Sequence, residues 1–167
     1  GTRALYLDKL PGRRRVEISS RVGELQPLRS TGLGKALLLD EDDVQLRDFY
    51  RCENGNGQRY KVSESAWMKR MREYAKRGCA FDLEENEDRI RCVAAPVRDA
   101  TGKIKAAISV SSAAQYMNDK RMQALTDDVL WTAEQISREL GWEGASISAV
   151  RKSSRKPRGT GTCGWQK

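Results

Sequence analysis

The chain has 167 residues, 31 of them Lys or Arg against 23 Asp or Glu, a formal net charge of +8 and no histidine. This length suits one domain with its own core, and no run of about 18 apolar residues is available to cross a membrane. Without histidine, His-held zinc sites and Ser/His or Cys/His nucleophile pairs are excluded.

Along the chain, residues 4–10 alternate well enough for a strand, which Pro11-Gly12 stops, and Val16 to Ser20 predicts a second. A loop follows, and Ser30 or Thr31 can cap a helix running to about Leu39. Asp40 is expected to open another short helix, with Glu41, Asp42 and Asp43 at the positive end of its dipole. Asn54-Gly55-Asn56-Gly57 marks a loop within Cys52–Arg59. Ser63 begins a helix with Trp67, Met71 and Tyr74 on one face, and Gly78 ends it in the left-handed cap position. Next comes a hairpin: Arg91–Val97, a turn at Asp99-Ala100-Thr101-Gly102, then Ile104–Ser111. Asn118 starts the longest helix, in which Met122, Leu125, Val129, Ala133, Ile136 and Leu140 form the apolar stripe and Gly141 is the stop. Strands and helices mix without strict βαβ alternation, so the fold class is α+β with a mainly antiparallel sheet.

The remaining segment, 145–167, is rich in Gly, Ser and Thr and is expected to be a disordered tail. Its Arg151, Lys152, Arg155, Lys156, Arg158 and Lys167 supply six of the eight net charges, leaving the domain near +2. A basic surface for nucleic acid is therefore not expected on the domain itself, and the tail's contact with nucleic acid is the weaker reading of its charge. No leader sequence is visible, and a cytoplasmic location is expected. Cys52, Cys79, Cys92 and Cys163 form no C-x-x-C pair, so reduced thiols are expected and no metal or cofactor is called for.

Two stretches suit the walls of one small pocket. In Ser20–Leu38, a loop enters a helix whose first turn carries Gly32 and Gly34; bare amides there favour an anion, although on spacing alone close packing of helix on sheet is the better reading of the two glycines. The hairpin supplies a thiol and hydroxyls. With a turn at Asp99–Gly102, Arg98 pairs with Lys103 and Val97 with Ile104, which sets Cys92 opposite Ser109. Opposed residues share a face and i+2 keeps it, so Cys92, Ser109 and Ser111 are predicted on one side of the sheet. By type alone, Cys92 also suits a small buried core residue and the serines suit local backbone bonding.

The runs SRVGELQPLRSTGLGKALL, RGCAFDLEE and RCVAAPVRDATGKIKAAISVS, in that order, resemble the effector-binding domain of IclR-type bacterial transcription regulators over residues 4 to 141. The resemblance implies a GAF-like or profilin-like domain with a mainly antiparallel sheet flanked by helices. It implies an effector-binding unit at 1–144, shortened at its N-terminus, with the basic tail at 145–167. It implies contacts to a small organic acid from the Gly32 and Leu33 amides and from Asp82, Cys92, Ser109 and Ser111. It places Arg15, Ile18, Gln26 and Thr31 on the pocket lining, with capping as the main task of Thr31. The polar Arg15 and Gln26 hint at a hydroxylated or keto sugar acid. Three positions depart from the family pattern: Cys79 replaces an aromatic, Arg89 a glycine, and Ser112-Ala113 a Gly-Pro.

The expected function is therefore small-molecule sensing in a homodimer or tetramer, with DNA bound only through a winged helix-turn-helix domain outside this sequence. No enzymatic role and no membrane contact are expected. A stand-alone GAF-like small-molecule sensor or interaction module is the alternative. A thiol enzyme built on Cys92 is a third reading, and it would need Asp82 or a lysine as its base.

Overall fold

The computed structural model describes residues 3–12, 18–53 and 62–144. Arg15, part of the strand predicted from Val16, the Asn54–Gly57 loop and the tail at 145–167 lie outside the described residues.

The chain begins with a small antiparallel ladder, β1 (Arg3–Leu5) on β2 (Leu25–Pro27), with Ala4 opposite Gln26. Only the start of the strand predicted over 4–10 is realised. Its partner is three residues long and ends at Pro27, which has no N–H to extend a ladder. Ile18–Ser20 form no strand either. The carbonyls of Ile18 and Ser20 accept from Lys9 Nζ at 2.7 and 2.6 Å instead of from a neighbouring chain.

Helix α1 (Gly32–Leu37) is capped by Thr31, whose hydroxyl accepts from Gly34 N at 2.9 Å and donates to Pro27 O at 2.6 Å. The loop before it is held from outside: Glu53 accepts from Leu28 N at 2.6 Å and Arg29 N at 3.1 Å, and buried Trp67 donates Nε1–H to Arg29 O at 3.0 Å. Helix α2 (Asp43–Cys52) starts later than expected. Asp42, not Asp40, is its cap, in a reciprocal box with Gln45. Asp40 is taken by Arg98 at 2.8 Å. Helix α3 (Glu64–Arg77) begins at the Ser63 cap and ends at Gly78 with φ of 72°, as the sequence predicts; Trp67, Met71 and Tyr74 are buried.

The main sheet holds β3 (Ala80–Leu83), β4 (Ile90–Arg98) and β5 (Ile104–Ala113), antiparallel in that order. Helix α1 lies on one face and α4 (Asp119–Glu139, capped by Asn118) on the other, giving the α+β architecture expected. Strand β4 is central, and alternate residues bury against each layer: Cys92 and Ala94 toward α1, Val93, Ala95 and Val97 toward α4.

The hairpin register differs from the sequence expectation. Asp99 N bonds Lys103 O at 3.0 Å and Gly102 has φ of 80°, so the connection is one residue tighter than assumed. A bulge between Val97 and Arg98 then adds a further residue on β5. Cys92 consequently faces Ser111, and Ala94 faces Ser109. Two single-residue slips cancel in parity, so the predicted shared face survives although the pairing does not.

The stripe on α4 is also corrected at its end. Ile136 and Leu140 are 37% and 50% exposed, and Ser137 takes the inward position. Its hydroxyl donates to Ala133 O at 2.7 Å and accepts from Arg98 N at 2.8 Å, which closes the backbone of the bulged strand end.

Candidate functional site

The site is a polar row between α1 and the sheet, with Asp82 and Cys92 buried and Ser109 and Ser111 half-buried. Asp82 on β3, Cys92 on β4 and Ser111 on β5 stand directly opposite one another across three strands, and Ser109 is one step along β5 on the same face. Both serine hydroxyls reach the Cys92 sulfur. Burial pushes the thiol up to about 11, against the pull of those two hydroxyls, which favours the neutral form at ordinary pH. A buried neutral thiol argues against a Cys92 thiolate nucleophile.

Helix α1 approaches this row without an intervening side chain. A Cβ on Gly32 would stand 2.7 Å from Cys92 Sγ, and one on Gly34 would stand 2.4 Å from the Leu28 backbone. Both glycines therefore serve close packing, Gly32 on the sheet and Gly34 on the loop. Gly34 N is committed to the Thr31 cap, whereas the amides of Gly32 and Leu33 take no partner among the described residues. Thr31 has its hydroxyl occupied at both ends by capping, which is the role expected of it.

Asp82 is buried, and Oδ1 accepts from Glu85 N at 2.8 Å and more distantly from Asn86 N at 3.4 Å. Burial raises its carboxyl to about 6, opposed by the nearby Lys35 charge and those backbone bonds. Asp82 belongs to an acidic run with Glu84, Glu85, Glu87 and Asp88, which the fold divides. Asp82 and Glu85 turn inward, while Asp88 faces out.

The other sequence-predicted lining residues do not join the row in the same way. Ile18 is half-buried and offers its carbonyl to Lys9; Gln26, on β2, directs its amide toward Glu24 at 3.5 Å. The structure also brings in residues that the sequence does not announce. Lys35 is 1% exposed, with Nζ 2.9 Å from Glu85 Oε1, and Glu85 Oε1 also meets Arg70 at 3.0 Å. Burial drives the Lys35 amine down, while the carboxylates of Glu85 and Asp82 hold its charge up. Tyr6, just beyond β1, bonds Ser20 through its side chain and lies close enough to feel Cys92 and Asp82. One sequence signal pointed to Lys35, a lone charge in the otherwise apolar Gly-Leu-Gly-Lys-Ala-Leu-Leu. Nothing comparable marked Glu85 or Tyr6.

A separate shallow cleft on α2 is lined by Gln45, Asp48, Phe49 and Cys52 and lacks this convergence of buried polar groups. Among the described residues no group of side chains could hold a metal ion, and no helix is long and apolar enough to cross a membrane.

Fold and site together define an α+β domain with polar groups gathered under a short glycine-bearing helix. The family model described as bacterial transcriptional regulator IclR C-terminal matches residues 1–138, and the chain belongs to this family. It is 27% identical over 149 residues to the Escherichia coli HTH-type transcriptional regulator XynR, covering 85% of this chain and 57% of that protein. It is 29% identical over 141 residues to the E. coli HTH-type transcriptional regulator KdgR, covering 83% and 53%. Among solved structures, the Thermotoga maritima IclR superposes with a TM-score of 0.75 at 29% identity, covering 85% of this chain and 58% of that one. The chain thus spans about half the length of the curated relatives it matches, and those relatives are transcription regulators, not enzymes.

Proposed function

We propose that residues 1–144 form the effector-sensing unit of an IclR-type regulator, and that the effector is a small organic carboxylate or sugar acid. The observation carrying this reading is the convergence of Asp82, Cys92, Ser109 and Ser111 on one sheet face beneath the uncommitted Gly32 and Leu33 amides. Donors supplied from two layers to one face of the sheet suit a carboxylate, and the Asp82 carboxyl suits a hydroxyl or keto group beside it. In the full-length protein, effector binding biases the conformation of a homodimer or tetramer. That bias reaches DNA through the helix-turn-helix region that the names of the relatives denote. The basic segment at 145–167 lies outside the sensing unit, and the protein works in the cytoplasm.

The test is a thermal-shift screen against small keto, hydroxy and sugar acids, followed by calorimetry on variants. Ser109→Ala and Ser111→Ala each remove a hydrogen bond to a charged group, roughly 1.5–3 kcal/mol, and should weaken a found acid about tenfold to a hundredfold. Val110 faces the opposite side and is 41% exposed, so Val110→Ala should leave affinity unchanged. A larger affinity loss in Val110→Ala than in either serine variant refutes the site.

A further inference from the structure

Beside the row of Asp82, Cys92, Ser109 and Ser111 lies a buried charge, Lys35. The Lys35 ammonium has three donors. Its carboxylate neighbour Glu85 is 2.9 Å away, yet Nζ makes no well-aligned hydrogen bond within the described structure. It lies at the floor of the site, within the electrostatic reach of Asp82 and Cys92.

We propose that Lys35 is a specificity-determining residue of this site: paired with Glu85, it sets the charge around Asp82 so that a monovalent carboxylate enters together with one proton on Asp82. This rests on the carboxylate reading of the site. The geometry supplies the proton's place, because both hydrogen bonds to Asp82 fall on Oδ1 and leave Oδ2 without a donor among the described residues.

The groups facing Asp82 come from every neighbouring element. Lys35 approaches from α1, Cys92 from β4 and Tyr6 from the segment after β1, while Glu85 and the Asn86 amide belong to the turn after β3. Arg70 of α3 acts through Glu85. Burial raises Tyr6 and Cys92 further into their neutral ranges, so Asp82 is the neighbour whose charge changes near neutrality.

With Asp82 ionised, Lys35 already faces two carboxylates. With Asp82 protonated it faces Glu85, whose Oε1 Arg70 also holds, and an incoming anion meets a net attraction. A second carboxylate beside ionised Asp82 would be repelled at short range in a buried site. Anion and proton therefore enter together.

The experiment is calorimetry with glyoxylate, pyruvate and acetate and with their amides, from about pH 5.5 to about pH 8.5, in buffers of contrasting ionisation heat. An acid that binds should take up about one proton at neutral pH, and its affinity should fall about tenfold per pH unit above the Asp82 titration. The amides should show no such slope. Asp82→Asn should flatten the acid's pH profile. Lys35→Met should lower acid affinity about tenfold or more and erase the preference for acid over amide. Glu85→Gln, which serves also if Lys35→Met does not fold, should raise acid affinity and shrink proton uptake. A ligand-free arm follows the Asp82 carboxyl by NMR, which should titrate higher in Lys35→Met and lower in Glu85→Gln. Acid binding without proton uptake, or an unchanged pH profile in Lys35→Met and Glu85→Gln, overturns the inference. If none of the acids binds while the Asp82 titration moves in these opposite directions, the electrostatic role of Lys35 stands and the carboxylate reading of the site falls.

Discussion

Replacing Gly32 by alanine tests how closely α1 is laid on the sheet. The new methyl would stand 2.7 Å from Cys92 Sγ, 3.3 Å from Cys92 Cβ and 3.5 Å from Ala94 Cβ. Apolar atoms rest at about 3.5–4.0 Å, so helix and strand must part by about 1 Å or the thiol must turn. Overpacking of this kind costs about 1–3 kcal/mol, and the better helix propensity of alanine offsets at most about 1 kcal/mol of it. Gly32→Ala should therefore destabilise by about 1–2 kcal/mol. Cys92→Ala alone removes one buried sulfur and should cost about 1 kcal/mol. In the double variant the added methyl occupies the space the sulfur leaves, so it should be no less stable than Cys92→Ala, a coupling of about 1–2 kcal/mol. Urea unfolding followed by far-UV circular dichroism reads all four corners of the cycle. Additivity to within about 0.5 kcal/mol would mean that Gly32 does not touch Cys92, and the site as drawn would be wrong. Gly34→Ala gives the contrast. Its methyl meets the Leu28 backbone at 2.4 Å, no side-chain truncation relieves that, and a loss above about 3 kcal/mol is expected.

Asp82 makes stability depend on pH. Its carboxyl is raised from 3.8 to about 6 in the folded state, so the folded protein holds the proton more tightly, and stability is lost as pH rises from about 4 to about 6. Two units correspond to about 3 kcal/mol; Asp82→Asn should remove that slope and be the more stable protein at neutral pH, and a wild-type minus variant difference that is flat with pH contradicts this. Arg89 sits at φ of 64°, exposed, where the family resemblance expects glycine. Arg89→Gly should stabilise by about 1 kcal/mol in urea melts while Arg89→Ala does nothing, and equal effects would remove backbone strain as the cause. Cys52 is exposed, whereas Cys79 and Cys92 are buried, so at neutral pH N-ethylmaleimide should label Cys52 quickly and Cys92 only on unfolding; rapid labelling of Cys92, read by peptide mass, would revive a reactive thiol.

Much of the scaffold was legible because its signals are local. Ser63 and Asn118 cap helices, Gly78 takes the left-handed turn, and the stripe from Met122 to Ala133 buries, each within reach of a few neighbours along the chain. Ser109 and Ser111 share a face by local parity, but their sharing it with Cys92 depended on register. That expectation held only because the tighter turn and the bulge beside Arg98 shift the pairing by two residues together. Asp42 outcompeted Asp40 as the α2 cap because Gln45 completes its box and Arg98, far along the chain, claims Asp40. Strand β3 was not legible, because Ala80, Phe81 and Asp82 are all buried and show no alternation.

The sequence by itself determined the family motifs, the Thr31, Ser63 and Asn118 helix caps, the presence of the hairpin and the alternation of side chains along each of its strands. Tertiary structure alone decided the hairpin pairing, through the bulge beside Arg98, and the inward turn of Ser137 in place of Ile136. It alone decided that Lys35, Glu85 and Asp82 are sealed together beneath α1. Desolvation is not a property of a residue or of its neighbours in sequence. It arises when α1, α3 and the β3–β4 turn close over the same few atoms, and only then does a lysine in an apolar run become a charge that must be answered.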